Sequence, residues 1–190
     1  MEKYILDRYA RTADGKVLID IAATKIEDLF SYYDRSAPYL KKDLDQELVD
    51  YIVDACRDVG KEDFVLQFTI DHLAGEEAMS RIRQSIPRYF LYLKELEIRD
   101  LKRMFRTSTT LFLVGLVLLT LSVWINQRLE TDTRVINHVL AAGLTVAAWV
   151  ALWEALATFL INWRPHRRRI KRYERIAKAP ILFNTPGNTH

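Results

Sequence analysis

Two apolar runs decide what this chain can become. Residues 107–127, TSTTLFLVGLVLLTLSVWINQ, carry no charge, and residues 137–163, NHVLAAGLTVAAWVALWEALATFLINW, carry a single carboxylate. A helix that crosses bilayer hydrocarbon needs ~20 mostly apolar residues at ~1.5 Å rise each. Both runs reach that length. The second exceeds it, so it either tilts or extends into the interface. A pair of buried helices in a soluble bundle is the competing reading. Such helices keep a polar face, and residues 111–121 show none beyond Thr120. The runs therefore predict a transmembrane helical hairpin over 107–163.

The mean hydropathy of −0.09 hides this concentration of apolar residues. Charge is split as well: residues 1–98 hold 14 Lys/Arg against 20 Asp/Glu, and residues 99–190 hold 14 against 5. A basic second half points to a membrane or nucleic-acid partner. Six Gly and five Pro exclude collagen-like or low-complexity character. One Cys excludes an intramolecular disulfide framework and a Cys-rich zinc site.

The basic flanks predict orientation. Lys94, Arg99, Lys102, Arg103 and Arg106 precede the first run, and a basic tail follows the second. The loop at 128–136 has only Arg128 and Arg134, offset by Glu130 and Asp132. Both termini are then expected in the cytoplasm, with the chain multi-pass in the cytoplasmic (inner) membrane. Residues 1–10 are charged and lack an apolar core, so the spans rather than a secretory signal are expected to direct insertion. Trp124 and Trp163 suit interfacial anchors, whereas Trp149 and Trp153 are expected to pack within the bundle.

The second run carries small residues at four-residue spacing: Gly143, Ala147, Ala151 and Ala155. Such a stripe lets another helix approach closely. Gly115 of the first run, or a second subunit, could receive it. Beside it lies a polar stripe, Glu154, Thr158 and Asn162, on one helix face. A carboxylate in hydrocarbon is costly and usually faces protein or a wet cavity. An antiparallel register places Glu154 opposite Gly115 and Asn162 near Ser108 and Thr109, with no cation from the first run at the depth of Glu154. Glu154 then faces an interhelical or intersubunit space. It either binds an ion or proton, or is satisfied by hydroxyls, by backbone, or by reaching toward Arg164.

Residues 164–178 hold eight basic residues and one acid. Arg164, Arg167, Arg168, Arg169, Lys171 and Arg172 are candidates for anionic headgroups, at roughly 1 kcal/mol per basic residue near the surface. No nucleic-acid recognition fold surrounds them, so lipid is the expected partner and nucleic acid is not. Ile170, Tyr173, Ile176 and Ala177 recur at helical spacing, which predicts an amphipathic interfacial helix ended by Pro180, with 184–190 frayed.

Residues 1–74 predict a small cytoplasmic α+β domain. Runs at 3–9 and 16–21 around Ala13-Asp14-Gly15 suggest a hairpin. A short helix is expected at 26–33, a loop at 36–42 and an amphipathic helix at 44–59. That helix would bury Leu44, Leu48, Tyr51, Ile52, Ala55, Cys56 and Val59, with Asp43 and Gln46 as a capping box and Gly60 beyond its end. A strand is expected at 63–70. Residues 75–106 read as a connecting helix, with Ile82, Ile86, Tyr89, Phe90, Leu93, Leu96, Leu101 and Met104 in helical period. Pro87 should kink or divide it. The fold class is thus an α+β membrane protein: domain, connecting helix, hairpin, and basic tail at 164–190.

No Walker loop, dinucleotide fingerprint, HExxH or GxSxG occurs. Cys56 sits on an apolar helix face, as an inert buried thiol does. His72, His138, His166 and His190 have no ligand spacing. The acidic run Asp43, Asp45, Glu47, Asp50, Asp54 and Asp58 reads as a cap and a solvated face. No catalytic, cofactor-binding or metal-binding residue is assigned, and enzyme activity is not expected.

Asp43-Leu44-Asp45 follows a Pro-containing loop. Trp149-Val150-Ala151-Leu152-Trp153 runs on to Phe159-Leu160, Trp163, Pro165 and the basic tail. These features resemble a family of uncharacterised prokaryotic two-span membrane proteins, over residues 17–183. The resemblance implies the topology and no activity. Family members pair an Arg with a Glu three residues apart near the position of Glu154; here Glu154 and Ala157 stand there, and Asn162 replaces a typical Asp. The expected role is a non-enzymatic, homo-oligomeric or accessory subunit with a cytoplasmic interaction domain. A small oligomeric ion channel or transporter component using the polar stripe is the alternative.

Overall fold

The computed structural model describes residues 6–31, 43–71, 75–129 and 135–184. The architecture is mixed: a small parallel sheet, a long helix and a further helical segment. The elements run β1 (Val17–Ala23), α1 (Gln46–Val59), β2 (Phe64–Ile70), α2 (Gly75–Leu129), α3 (Val135–Ala157), a π-helical turn (Thr158–Asn162), α4 (Trp163–Lys178) and β3 (Ile181–Asn184). They fall into two compact units, Met1–Glu95 with Arg169–His190, and Leu96–Arg168.

The first unit is built on the sheet, ordered β1-β2-β3 and parallel throughout. β1 pairs with β2 from Val17↔Phe64 to Ala23↔Ile70, and β2 with β3 from Leu66↔Ile181 to Thr69↔Asn184. Parallel strands covered on both faces read as nearly continuous apolar runs. β2, Phe-Val-Leu-Gln-Phe-Thr-Ile, is such a run, and Val65 is buried along with Phe64, Leu66, Phe68 and Ile70. The expected 3–9/16–21 hairpin is therefore corrected. Its tight turn exists, closed by Thr12 and Lys16 around Gly15, whose φ of +78° favours glycine. Residues 6–9 of its first arm are no strand, and the chain just after them meets β1 through an Arg11↔Val17 bridge and the Leu18 N–H to Ala10 carbonyl bond. β1 spends its other edge on β2. Residues 1–5 lie outside the described residues.

The short helix shrinks to one 3-10 turn, Ile26–Leu29. Phe30 is extended and bridges to Leu44, which stops the turn; residues 32–42, including the expected Pro38 loop, lie outside the described residues. α1 starts two residues later than expected. Asp45, not Asp43, caps it: its carboxylate accepts from the Glu47 and Leu48 N–H groups at 3.0 and 3.3 Å. Gln46 donates to Asp50 and forms no capping box. Gly60 stands at the C-cap with φ +66°. The buried face is Val49, Ile52, Ala55, Cys56 and Val59, whereas Tyr51 lies out and donates its hydroxyl to the Asp20 carbonyl.

α2 runs through Pro87 without dividing. Its first turns are more than a connector, because Ile82, Ile86 and Phe90 are fully buried in the sheet unit's core. Ile176 of α4 joins the same core, with Tyr173 and Ala177 against it. Tyr173, Ile176 and Ala177 of the tail's apolar face are thus used by protein, while Ile170 is half-buried outside that core. α4 ends at Lys178, ahead of Pro180 as expected. Where fraying was expected to begin, Asn184 closes β3; residues 185–190 lie outside the described residues.

The second unit is the paired part of α2 and α3. Among the described residues two helices are long and apolar enough to cross a membrane, Gly75–Gln127 and His138–Lys178. Only 17% and 22% of their most apolar windows are buried, where a soluble core helix would be mostly covered.

Candidate functional site

The site grows from how α2 and α3 meet. Ser122 Oγ lies 3.2 Å from the Ala141 carbonyl and 2.5 Å from Thr145 Oγ1. Gly115 faces Ala151 and Leu152 so closely that a Cβ there would stand 3.0 Å from Leu152 Cγ. Phe105 and Phe159 stack at 5.6 Å between centroids. Glu97 Oε1 and His166 Nδ1 meet at 2.8 Å. These four contacts fix an antiparallel register.

The seam differs from the expected small-residue stripe. Ala141, Ala148, Ala151, Ala155 and Thr158 are buried, while Gly143 is exposed with nothing within 4 Å of a built Cβ, and Ala147 is exposed. A strict four-residue step drifts by ~40° per step at 3.6 residues per turn, whereas a seven-residue step nearly closes. The stripe therefore leaves the contact at its N-terminal end. Trp149 and Trp153, expected inside the bundle, are 63% and 70% exposed, because they stand on the helix face opposite the alanine seam.

The polar stripe holds together. Thr158 is buried and donates its hydroxyl to the Glu154 carbonyl at 3.2 Å; the Asn162 amide donates to Thr158 Oγ1 at 3.4 Å. Thr158 and Asn162 bound the π-helical turn, a feature often found at functional sites. All three residues line one open groove of about 440 Å³ with Asp100, Arg103, Met104, Thr107, Ser108 and Leu111. Ser108 and Asn162 both line it, but Thr109 does not. Glu154 is not opposite Gly115; Ala151 and Leu152 are.

Two charged residues were missed. Asp100 and Arg103 belong to the flank of the first run in sequence, yet both reach the groove that holds Glu154. The signal was there: the paired positions fix which flank residues share a face with Ser108. The groove thus offers two carboxylates, one guanidinium, an amide and hydroxyls beside the apolar Met104 and Leu111. Such a set can hold a cation or relay a proton. No group of three or more His, Cys, Asp or Glu residues among the described residues could hold a metal ion.

The basic tail is divided in its tasks. Arg164, Arg167, Arg168, Arg169 and Lys171 are exposed, with Arg172 half-buried. The Arg167 guanidinium lies 5.3 Å from the Trp163 ring centroid. Arg175 is committed to the sheet unit, where it donates to the Gly60 and Glu62 carbonyls. Lys178 bonds to Glu174 and holds its carboxyl below the usual range, with Lys94 adding to the effect. Comparison with known protein families, curated proteins and solved structures gives no match.

Proposed function

We propose that the chain is a two-pass protein of the cytoplasmic membrane with both termini inside. In this reading it is a non-enzymatic accessory or scaffold subunit that associates with copies of itself or with a membrane complex. The sheet unit is its cytoplasmic interaction module. One observation carries this: the two apolar helices leave Val146, Trp149, Val150 and Trp153 among many large side chains exposed. That surface needs lipid or another helix to cover it. The cations of 94–106 and 164–178 flank the same ends of both spans, which supports an inner-facing, anionic headgroup layer. Membership of the two-span family is part of this proposal and rests on the Trp-rich second span. The test is fractionation and cross-linking of the full chain. Retention in membranes after alkaline extraction, and recovery with a stoichiometric second subunit, are expected. A chain soluble without detergent, or one recovered only as an unpartnered monomer, defeats the proposal.

A second reading is favoured by the groove. Glu154 lines an open groove with Asp100 and Arg103, beside the π turn. As a pore or transporter subunit, the chain would conduct ions in liposomes, and Glu154→Ala would abolish the flux. No flux from the wild-type oligomer rules this reading out.

A further inference from the structure

We propose that Arg103 and Arg106 of α2 form a binding site for one anionic phospholipid, its phosphodiester on the guanidiniums and an acyl chain along the helix beyond. This rests on the membrane-spanning reading. An open groove of about 440 Å³ runs along one face of α2, lined by Arg103, Arg106, Thr107, Thr110, Leu111 and Val114. Its chemistry is graded along the helix axis. Along the helix the two arginines come first, the two threonines follow, and the apolar residues come last.

The polar end is made for an anion. Among the described residues no carboxylate pairs with Arg103 or Arg106. Thr107 and Thr110 donate their hydroxyls to the Arg103 and Arg106 carbonyls at 3.1 and 3.0 Å. The hydroxyl protons are therefore spent inside the helix, and only the guanidiniums remain as donors to a phosphate. Guanidinium donors suit phosphate oxygens because two N–H groups can meet two oxygens at once. Asp100 lines the adjoining groove with Arg103, so the cluster keeps a single net positive charge. One phosphodiester neutralises it, whereas a zwitterionic headgroup brings an ammonium that the pair of arginines repels.

The apolar end has the right length. Val114, Val117 and Leu121 continue the exposed face beyond Leu111. From Thr110 to Leu121 the helix rises ~16 Å, about half of a ~30 Å hydrocarbon core and so one leaflet. An acyl chain starting at the hydroxyls would end near the bilayer midplane.

The experiment uses the full chain, purified in detergent and stripped of lipid. Its melting midpoint is followed as phosphatidylglycerol, phosphatidylethanolamine, phosphatidylcholine or inorganic phosphate is added to the micelles. Phosphatidylglycerol alone should raise the midpoint. R103Q/R106Q should need about thirty-fold more of it for half the effect, from the loss of two near-surface cations. R103K/R106K should bind with intermediate strength, and Thr110→Phe, which fills the groove, should weaken binding with the charges intact. These last two variants decide the matter if R103Q/R106Q does not fold. An equal response to the zwitterionic lipids or to inorganic phosphate overturns the proposal. So does an unchanged response in the arginine variants, or an equal loss from R164Q/R167Q. Membrane retention of the wild type is scored separately, so failure of the spanning reading is distinguishable from failure of this site.

Discussion

Arg175 donates to the carbonyl oxygen of Glu62 at 2.7 Å across 113 residues of sequence. The same guanidinium bonds to the Gly60 carbonyl and lies 5.3 Å from the Phe64 ring centroid. It therefore ties the end of α4 to the turn that joins α1 to β2. A few residues later β3 adds itself to the free edge of β2. The C-terminal segment completes the first unit's sheet, so its basic character serves the fold as well as any surface.

Arg175→Ala should accordingly destabilise the sheet unit. Two charge-assisted hydrogen bonds to backbone are lost, and the partly exposed setting lowers their combined worth to roughly 1–2 kcal/mol. Removing residues 179–190 should do more, because it bares the second edge of β2. Amide hydrogen exchange read at residues 64–70 checks both. Protection at β2 that survives the truncation unchanged would show that β3 does not hold the sheet.

Gly115 and Gly143 predict opposite outcomes for one kind of substitution. A side chain at Gly115 meets Leu152 Cγ at 3.0 Å and Ala151 Cβ at 3.2 Å, so Gly115→Val must push α2 and α3 apart. Overpacking of that kind costs about 1–3 kcal/mol, and the melting midpoint in detergent should fall. Gly143 has open space around it, so Gly143→Val should leave the monomer's hairpin unaltered. If copies of the chain meet on this outer stripe, the same variant should shift the cross-linked oligomer toward monomer. A lowered midpoint for Gly143→Val with Gly115→Val silent would mean the seam lies elsewhere.

Much of this was legible in the sequence. Apolar length marked the two apolar helices, the apolar run Phe64, Val65, Leu66 and Phe68 marked β2, and the 3.6-residue period marked α1. Gly60 announced a helix end because only a residue free to take positive φ suits it. Parallel pairing was not legible. β3 is four residues long and follows Pro180, and its partner β2 is remote in sequence, so no local pattern announces it. Gly115, Ala151 and Ala155 lie in the helix seam as expected, but Gly143 and Ala147 do not, because a four-residue stripe of small residues rotates round the helix. Arg103 was counted as flank, although it lines the groove of Glu154. The polar stripe itself was readable, since Glu154, Thr158 and Asn162 lie on one face.

The first turns of α2 should behave as core. Phe90 is fully buried, stacks on Tyr173 at 6.2 Å between centroids, and sits among Ile82, Ile86 and Ile176. Phe90→Ala should cost about 3–5 kcal/mol, the usual range for emptying an aromatic site. Phe90→Leu should recover most of that. Both are measured by thermal unfolding of the full chain. A Phe90→Ala variant as stable as the wild type would return residues 75–95 to the role of a plain connector.

Cys56 supplies a pH test of the same core. Burial pushes its thiol pKa up, against the opposing pull of Arg175 and Arg172. Folding therefore favours the neutral thiol. The unfolded chain ionises at the ordinary thiol pKa, and the folded chain only at higher pH. Stability from this group is intact below the ordinary pKa and declines as pH rises through it, by at most about 1.4 kcal/mol per pH unit. Tyr9 and Tyr89 are raised by burial too, and contribute equally to wild type and variant. The difference in slope between wild type and Cys56→Ala from pH 7.5 to 10 thus isolates the thiol. The wild type should lose stability faster, and its thiol should resist alkylation at pH 8 until the domain unfolds. Parallel slopes, with rapid alkylation of the native chain, would place Cys56 at the surface and refute the packing of α1.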